Sequence, residues 1–180
     1  VEEGVLKWIS PRGALWKAFR TGRVDMIEFL LRSIDDTTID SYGSRFGGPI
    51  DDTIIHNFCF LVAAAKGDLK SVKKYVEQGV DLEVQTKSLG WEVGRMLDWD
   101  FDGFGGFDRD GTALMFAAQG NHVNVMKFLL ESGAEVDTKN SVGMTALERV
   151  WHSGDRETIK TLLFAGARWQ NLNPTRTTLS

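Results

Sequence analysis

The chain has 180 residues, of which 42 % are hydrophobic, and its formal net charge is −4 with a pI near 5.4. This is one domain's length with ordinary hydrophobic content, and no apolar run approaches the roughly 20 residues of a transmembrane helix. Net acidity argues against nucleic acid as the main partner. The single Cys59 excludes an intrachain disulfide and favours a reducing, cytoplasmic compartment, although a cysteine-poor exported protein or a processed chain would look the same.

Two helix pairs are predicted in the N-terminal half, in the segments ALWKAFRTGRVDMIEFLL and FCFLVAAAKGDLKSVKKYVEQGVDLE. In each segment small residues precede a turn glycine, Gly22 or Gly67, and an apolar stripe at helical spacing follows it. Gly79 then ends the second pair. The positions that follow this plan are Leu15, Ala18, Val24, Ile27, Leu30, Leu31, Ala63, Ala64, Val72, Tyr75 and Val76.

The C-terminal half contains two copies of one unit, 33 residues apart. Thr112-Ala113-Leu114 recurs as Thr145-Ala146-Leu147, and Gly133-Ala134 recurs as Gly166-Ala167. Thr112 is predicted to cap a short helix. Asn121 takes the turn position between the helices, where an asparagine tolerates a left-handed backbone better than other non-glycine residues do.

A period of 33 with a T-x-L start, small residues in the next turn and a Gly-Ala end resembles the ankyrin repeat family. The resemblance covers about residues 12–168. It implies an all-α solenoid of about four helix-turn-helix repeats in a single domain, residues 1–170, followed by a polar tail, 171–180. The predicted repeats are about 12–45, 52–84, 110–142 and 143–169. The family also implies a non-catalytic protein-binding scaffold without cofactors.

The fourth copy departs from the pattern in its first helix. Glu148, Arg149, Val150 and Trp151 replace small and apolar residues, and Trp151 occupies the family's second alanine position. Trp151 and Arg149 are predicted to spoil the small, apolar surface that a further repeat needs, so this copy is predicted to be the C-terminal cap. Trp151 and Trp169 are predicted to close that end of the array.

Two insertions interrupt the period. Gly22 to Gly67 is 45 residues, which is 33 plus 12, and Gly79 to Gly133 is 54, which is 33 plus 21. The first insertion is predicted at about 34–52 and the second at about 84–110, both at the β-turn edge between repeats. Insertions at this edge lie on one face, often the binding face. Residues 83–110 carry seven acids against three bases and residues 32–57 carry five against two, so the rest of the chain sums to +3.

One metal motif lies in the second insertion. Asp98, Asp100 and Asp102 precede Gly103 as D-x-D-x-D-G, the first half of a calcium loop. The twelfth position is Arg109, where such a loop needs a bidentate Glu, so no metal site is assigned and these aspartates are only a candidate. The sequence contains no zinc-protease, nucleophile-elbow or P-loop motif, and no catalytic residue is predicted.

We therefore predict a protein-binding module that uses the insertions and the concave ankyrin surface, with a basic protein as partner. The alternatives are an acidic inhibitor or immunity-type protein that blocks an enzyme or toxin, and a calcium- or ligand-responsive regulator using the D-x-D-x-D-G loop. The predicted partner-binding residues are Trp91, Trp99, Phe101, Phe104, Phe107, Asp98, Asp100, Asp102, Asp108 and Asp110.

Overall fold

The computed structural model describes residues 11–33, 52–86, 110–151 and 155–169. These ranges contain eight helices and no strand, which confirms the predicted all-α class for the part of the chain described. The helices are α1 (Pro11–Arg20), α2 (Val24–Ser33), α3 (Asp52–Lys66), α4 (Leu69–Glu77), α5 (Ala113–Gln119), α6 (Val123–Glu131), α7 (Ala146–Val150) and α8 (Arg156–Phe164). Within the same ranges, none of them has the length and apolarity that a membrane crossing requires.

Short polar side chains start the second helix of two pairs. Asp68 accepts the backbone N–H of Ser71 at 3.2 Å at the start of α4. Asp155 accepts the N–H of Glu157 at 3.1 Å at the start of α8. Each bond satisfies one of the donors that the first helical turn leaves unpaired.

The two T-x-L copies start their helices differently. At α7 the Thr145 hydroxyl accepts the N–H of Glu148 at 3.3 Å, and the Glu148 carboxylate accepts the N–H of Thr145 at 2.9 Å, which is a capping box. At α5 Thr112 stands at the N-cap, but its side chain makes no capping hydrogen bond. Thr112 therefore takes the predicted N-cap position, but without the side-chain hydrogen bond by which a threonine caps a helix. The reciprocal box needs Glu or Gln at the third helical position, and Met115 stands there.

The turn between the helices of a pair has a left-handed backbone in the first three repeats. Gly22 has φ 68°, Gly67 has φ 73° and Asn121 has φ 56°. Only glycine adopts this conformation freely, and asparagine is among the few other residues that reach it. The expected left-handed Asn121 is confirmed.

The pairs stack so that α3, α5 and α7 form one layer and α4, α6 and α8 form the other. Helix α2 packs on α3 and joins the first pair to the array. Stacking buries the apolar stripes in one continuous core that extends from Leu15 to Ala167. The core supplies the main stabilisation, because helices this short are marginal alone.

A histidine ties the third repeat to the second. The Nε2 of His122 lies 3.0 Å from the carbonyl oxygen of Ala65. Its ring occupies the space that a Cβ on Gly67 or Gly120 would need, so both glycines make room for it. This contact aligns the turns of neighbouring repeats.

An asparagine ties the fourth repeat to the third. The side-chain oxygen of Asn121 accepts the N–H of Asp155 at 2.9 Å and the hydroxyl of Thr158 at 3.1 Å. The residue that permits the left-handed turn therefore also fixes the start of α8.

Helix α3 is longer than its equivalents: it has 15 residues, where α5 has 7. Cys59 aligns with Ala113, the first residue of α5, so the segment from Asp52 to Phe58 is an N-terminal extension. Part of the 12-residue excess between the first two repeats is thus helix.

The predicted pair of tryptophans meets at the C-terminal end of the described array. The ring centroids of Trp151 and Trp169 are 4.8 Å apart, and Trp151 remains 45 % exposed. Residues 170–180 lie outside the described ranges. Arg149, which was predicted to spoil the surface for a further repeat, turns back toward the third repeat, as described below.

Candidate interaction surface

A side-chain hydrogen bond joins the two ends of the second insertion. Thr86 is the last described residue before residues 87–109, and Asp110 is the first after them. The Thr86 hydroxyl donates to Asp110 Oδ1 at 3.1 Å. Thr86 is buried, so its hydroxyl needs such a partner. The residues on either side of 87–109 therefore meet at one place on the scaffold.

Asp110 is also held by the following repeat. Its Oδ2 accepts the backbone N–H of Ser141 at 2.9 Å. Its carbonyl oxygen accepts the Asn140 side-chain amide at 3.3 Å and Nη1 of Arg149 at 3.0 Å. Both carboxylate oxygens and the carbonyl thus bind groups of the domain itself.

Arg149 reaches Asp110 from α7 across the face of α5. Its Nη2 donates to the side-chain oxygen of Gln119 at 2.8 Å, and its guanidinium carbon lies 5.3 Å from the centroid of the Phe116 ring. A guanidinium over an aromatic face gains a cation–π attraction. These contacts fix the side chain from the third repeat.

Gly111 makes room for this arginine. A Cβ built on Gly111 would collide with Nη1 of Arg149 and would press on Met115. Only a residue without a side chain lets the guanidinium lie against the backbone here.

The connections of the second and third repeats lie side by side next to this point. Glu83 accepts the backbone N–H of Glu135 at 2.8 Å and the hydroxyl of Thr138. The side-chain amide of Gln85 donates to the Lys139 carbonyl at 3.0 Å. We call this row of connections, with the ends of both insertions, the turn edge.

The first insertion is closed by an ion pair. Nη1 of Arg32, near the end of α2, donates to Oδ1 of Asp52, the first residue of α3. The side chains are 41 % and 71 % exposed. Arg32 also lies 3.2 Å from Nε2 of His56 and 3.4 Å from Glu28.

Glu28 is the polar centre beneath this ion pair. It accepts Nζ of Lys74 at 2.8 Å and the hydroxyl of Tyr75 at 2.9 Å, which joins the first two repeats. Burial alone would raise the pKa of Glu28, but the bonds from Lys74 and Tyr75 hold it below its ordinary value. Burial raises the pKa of Tyr75, and it raises the pKa of the enclosed Cys59 to about 12. Cys59 is therefore a protonated core residue, which is not nucleophilic.

Of the predicted partner-binding residues, only Asp110 lies within the described ranges. It is half-buried and bound to the scaffold, so it contributes to the anchoring of the insertion. The residues outside the described ranges are Trp91, Trp99, Phe101, Phe104, Phe107, Asp98, Asp100, Asp102 and Asp108. The described part of the chain contains no group of three side chains arranged to hold a metal ion.

Sequence patterns did not identify Arg149, Gly111 or Glu28 as anchoring residues. Arg149 binds a carbonyl 39 residues earlier, and Glu28 binds a lysine 46 residues later. Helical periodicity describes neighbours three or four positions apart and carries no signal for such pairs.

The fold and its turn edge define a helical-repeat protein, and comparison with known proteins gives its family. A sequence model described as ankyrin repeats (3 copies) matches residues 60–173, more than half of the chain. The chain belongs to the ankyrin repeat family, which confirms the predicted resemblance.

Relatives from animals share the repeats. The chain is 31 % identical over 108 residues to a transient receptor potential cation channel subfamily A member 1 homolog of Caenorhabditis elegans, which covers 58 % of this chain and 9 % of that protein. It is 33 % identical over 81 residues to ankyrin repeat domain-containing protein 40 of Mus musculus and of Homo sapiens, which covers 45 % of this chain and 17 % of theirs. The chain thus spans less than a fifth of the length of these relatives.

Proposed function

We propose that this chain is a non-catalytic protein-binding module whose partner contacts the turn edge, chiefly through the second insertion. The observation that carries the proposal is the anchoring of this insertion at both ends, by Thr86 and Asp110, on an ankyrin array. Ankyrin repeat domains generally act as interaction modules. Long connections in such arrays often lie on the binding face.

The composition of the insertions supports a basic partner. Residues 83–110 carry a net charge of −4 and residues 32–57 carry −3, whereas the rest of the chain carries +3. Acidic side chains would steer a basic surface toward the edge, and aromatic side chains would anchor it. The proposed anchors are Trp91, Trp99, Phe101, Phe104 and Phe107, and the proposed steering residues are Asp98, Asp100, Asp102 and Asp108.

Two narrower functions remain alternatives. An inhibitor or immunity-type protein would use the same surface to block an enzyme or toxin. A calcium-responsive regulator would use Asp98, Asp100 and Asp102, although Arg109 stands where the closing Glu belongs. Capture of an enzyme or toxin that the chain blocks would favour the inhibitor, and binding in a calcium titration would favour the regulator.

The structure defines the variant that tests the proposal. Residues 87–109 are replaced by a short Gly-Ser linker, and Thr86 and Asp110 are retained because both anchor the scaffold. Their side chains touch, so a short linker closes the gap. Wild-type protein is used to capture partners from the native source, and the affinity of each variant for the captured partner is measured. We expect the shortened variant to bind about tenfold or more weakly. Unchanged affinity would show that the insertion does not contribute to binding, and would favour the concave helix face as the binding site.

The aromatic anchors are tested by a triple change of Phe101, Phe104 and Phe107 to Ser. Loss of apolar anchors is expected to speed dissociation from the captured partner, with little change in association. Phe164→Ser is the matched control, because this ring on α8 is 80 % exposed and lies in the last described helix. Equal effects of the triple change and the control would contradict the assignment.

The steering aspartates are tested by a triple change of Asp98, Asp100 and Asp102 to Asn. Loss of steering charge is expected to slow association, with an effect that fades as salt rises. Glu77→Gln combined with Glu131→Gln removes exposed charges from α4 and α6 and serves as the control. A salt-independent effect would mean that the aspartates act by direct contact.

A further inference from the structure

We propose that Thr86, Asp110 and Arg149 form a clamp that couples the second insertion to the fourth repeat, with Arg149 as the positioning residue. The importance of the clamp for partner binding rests on the proposed function. The contacts that define the clamp join described residues, and they are testable without a partner.

Asp110 is where three consecutive repeats meet. The Thr86 hydroxyl comes from the connection after α4, the Ser141 N–H from the connection after α6, and Arg149 from α7. Each of these groups binds a different oxygen of Asp110. The end of the insertion is therefore fixed from both sides in the direction along which the repeats stack.

Arg149 is held in place by contacts with the third repeat. Gln119 accepts from Nη2, Phe116 lies beneath the guanidinium, and Nη1 reaches the Asp110 carbonyl. The planar guanidinium presents two nitrogens in a fixed geometry, which a lysine ammonium cannot reproduce. The arginine thus transmits the position of the α5 and α7 helices to the end of the insertion.

Gly111 provides an independent way to open the clamp. A methyl group at this position would occupy the space of Nη1 and displace the guanidinium, while Arg149 itself stays unchanged. Gly111→Ala and Arg149→Gln should therefore break the same contact from opposite sides.

The clamp can open without loss of the core. Helices α5 and α7 pack on each other and contribute the buried Leu114 and Leu147 to the core, and neither leucine takes part in the clamp. Local opening of this kind has a lower free energy than global unfolding. The turn 140–144, whose exposed tip is Val142, is joined to Asp110 through the Ser141 N–H. A partner that binds the insertion should therefore also restrain this turn.

Native-state amide hydrogen exchange on the full chain, followed by NMR, tests the clamp. The reporter is the Ser141 amide, and the reference is the amide of Leu129 in the buried part of α6. Arg149→Gln and Gly111→Ala are each expected to speed Ser141 exchange by about tenfold relative to Leu129, the effect of one lost hydrogen bond. Arg156→Gln, an exposed arginine on α8, is the charge-matched control and should leave the ratio unchanged.

The double variant separates a shared contact from two unrelated ones. If Gly111→Ala acts only by displacing Arg149, it should add nothing in the Arg149→Gln background. Additive effects would overturn the clamp. Equal acceleration of Ser141 and Leu129 would also overturn it, since Arg149 would then support only general stability.

Two substitutions of Thr86, one that keeps the hydroxyl and one that removes it, test the other side of the clamp. Thr86→Ser keeps the hydroxyl and should leave the exchange ratio unchanged, whereas Thr86→Val removes it and should raise the ratio. Equal behaviour of the two variants would show that the hydroxyl is not the connecting group. Introduced into the wild-type chain, Arg149→Gln should weaken binding of the captured partner. Introduced into the variant shortened at 87–109, it should not change the affinity. If shortening alone does not affect binding, the proposed function fails, while the exchange measurement still tests the clamp.

Discussion

The two insertions begin from the same edge of the array but are anchored by different chemistry. The first is closed by Arg32 and Asp52, an ion pair whose side chains are 41 % and 71 % exposed. The second is closed through Asp110, which accepts hydrogen bonds from Thr86, Ser141 and Arg149. The first anchor is substantially exposed to solvent, whereas the second lies partly within the stacked repeats.

The difference in exposure sets the strength of each anchor. Exposed ion pairs contribute about 0–1 kcal/mol, because water screens the charges and two long side chains must be ordered. A partly buried acceptor that loses its donor costs about 1–3 kcal/mol. The second anchor should therefore be the stronger one, and it belongs to the insertion with the larger excess length. Rigid support is what a proposed binding surface needs if it is to avoid ordering costs on association.

The largest effect is expected at the second anchor. Arg149→Gln should lower the free energy of unfolding by about 1–3 kcal/mol, because Gln119 and the Asp110 carbonyl each lose a hydrogen bond from the guanidinium. Arg32→Gln, which removes the same charge from the first anchor, should cost less than about 1 kcal/mol. Urea unfolding of both variants measures the difference. A larger loss in Arg32→Gln would reverse the comparison of the two anchors.

Sequence periodicity was sufficient to predict the helices and their turns but not the anchors. The left-handed conformation of Asn121 follows from its place in the repeat, since a turn of that shape tolerates few residue types. Arg149 was interpreted as spoiling the outer surface of the last repeat, because one position in a pattern gives no direction for a long side chain. Its direction depends on Gly111 and Gln119, which come close only after the repeats stack.

A second effect concerns Glu28 beneath the first anchor. Its pKa is lowered in the folded protein, so its stabilising contribution is fully present above the unfolded value near 4.5 and is lost as the pH falls through the folded value. Glu28→Gln should cost about 1–2 kcal/mol at neutral pH, because Lys74 and Tyr75 lose a charged acceptor. The difference from wild type should shrink as the pH is lowered from about 5 to about 3. A difference that stays constant over this range would contradict the role of the ionised carboxylate.

A smaller effect concerns the ion pair itself. A double-mutant cycle of Arg32→Gln and Asp52→Asn should give a coupling free energy of at most about 1 kcal/mol. Raising the salt from about 0.1 M to about 1 M shortens the screening length from about 10 Å to about 3 Å and should weaken this coupling. The corresponding cycle of Thr86→Val and Arg149→Gln should change little with salt, because its hydrogen bonds are partly buried. Equal salt dependence of the two cycles would contradict the difference in anchoring.

The smallest effect is expected from calcium. If the second insertion were held mainly by a metal ion, Asp98, Asp100 and Asp102 would need a closing bidentate carboxylate, and Arg109 stands at that position. The clamp at Asp110 supplies an anchor without any metal ligand. Thermal unfolding curves with calcium and with a chelator should therefore overlay for wild type, and calcium should not restore the stability lost in Arg149→Gln. A ligand that binds only the folded state raises the midpoint, so a rise of several degrees would show a calcium site and favour the regulator over a simple binding module. A rise confined to Arg149→Gln would instead show that calcium replaces an open clamp.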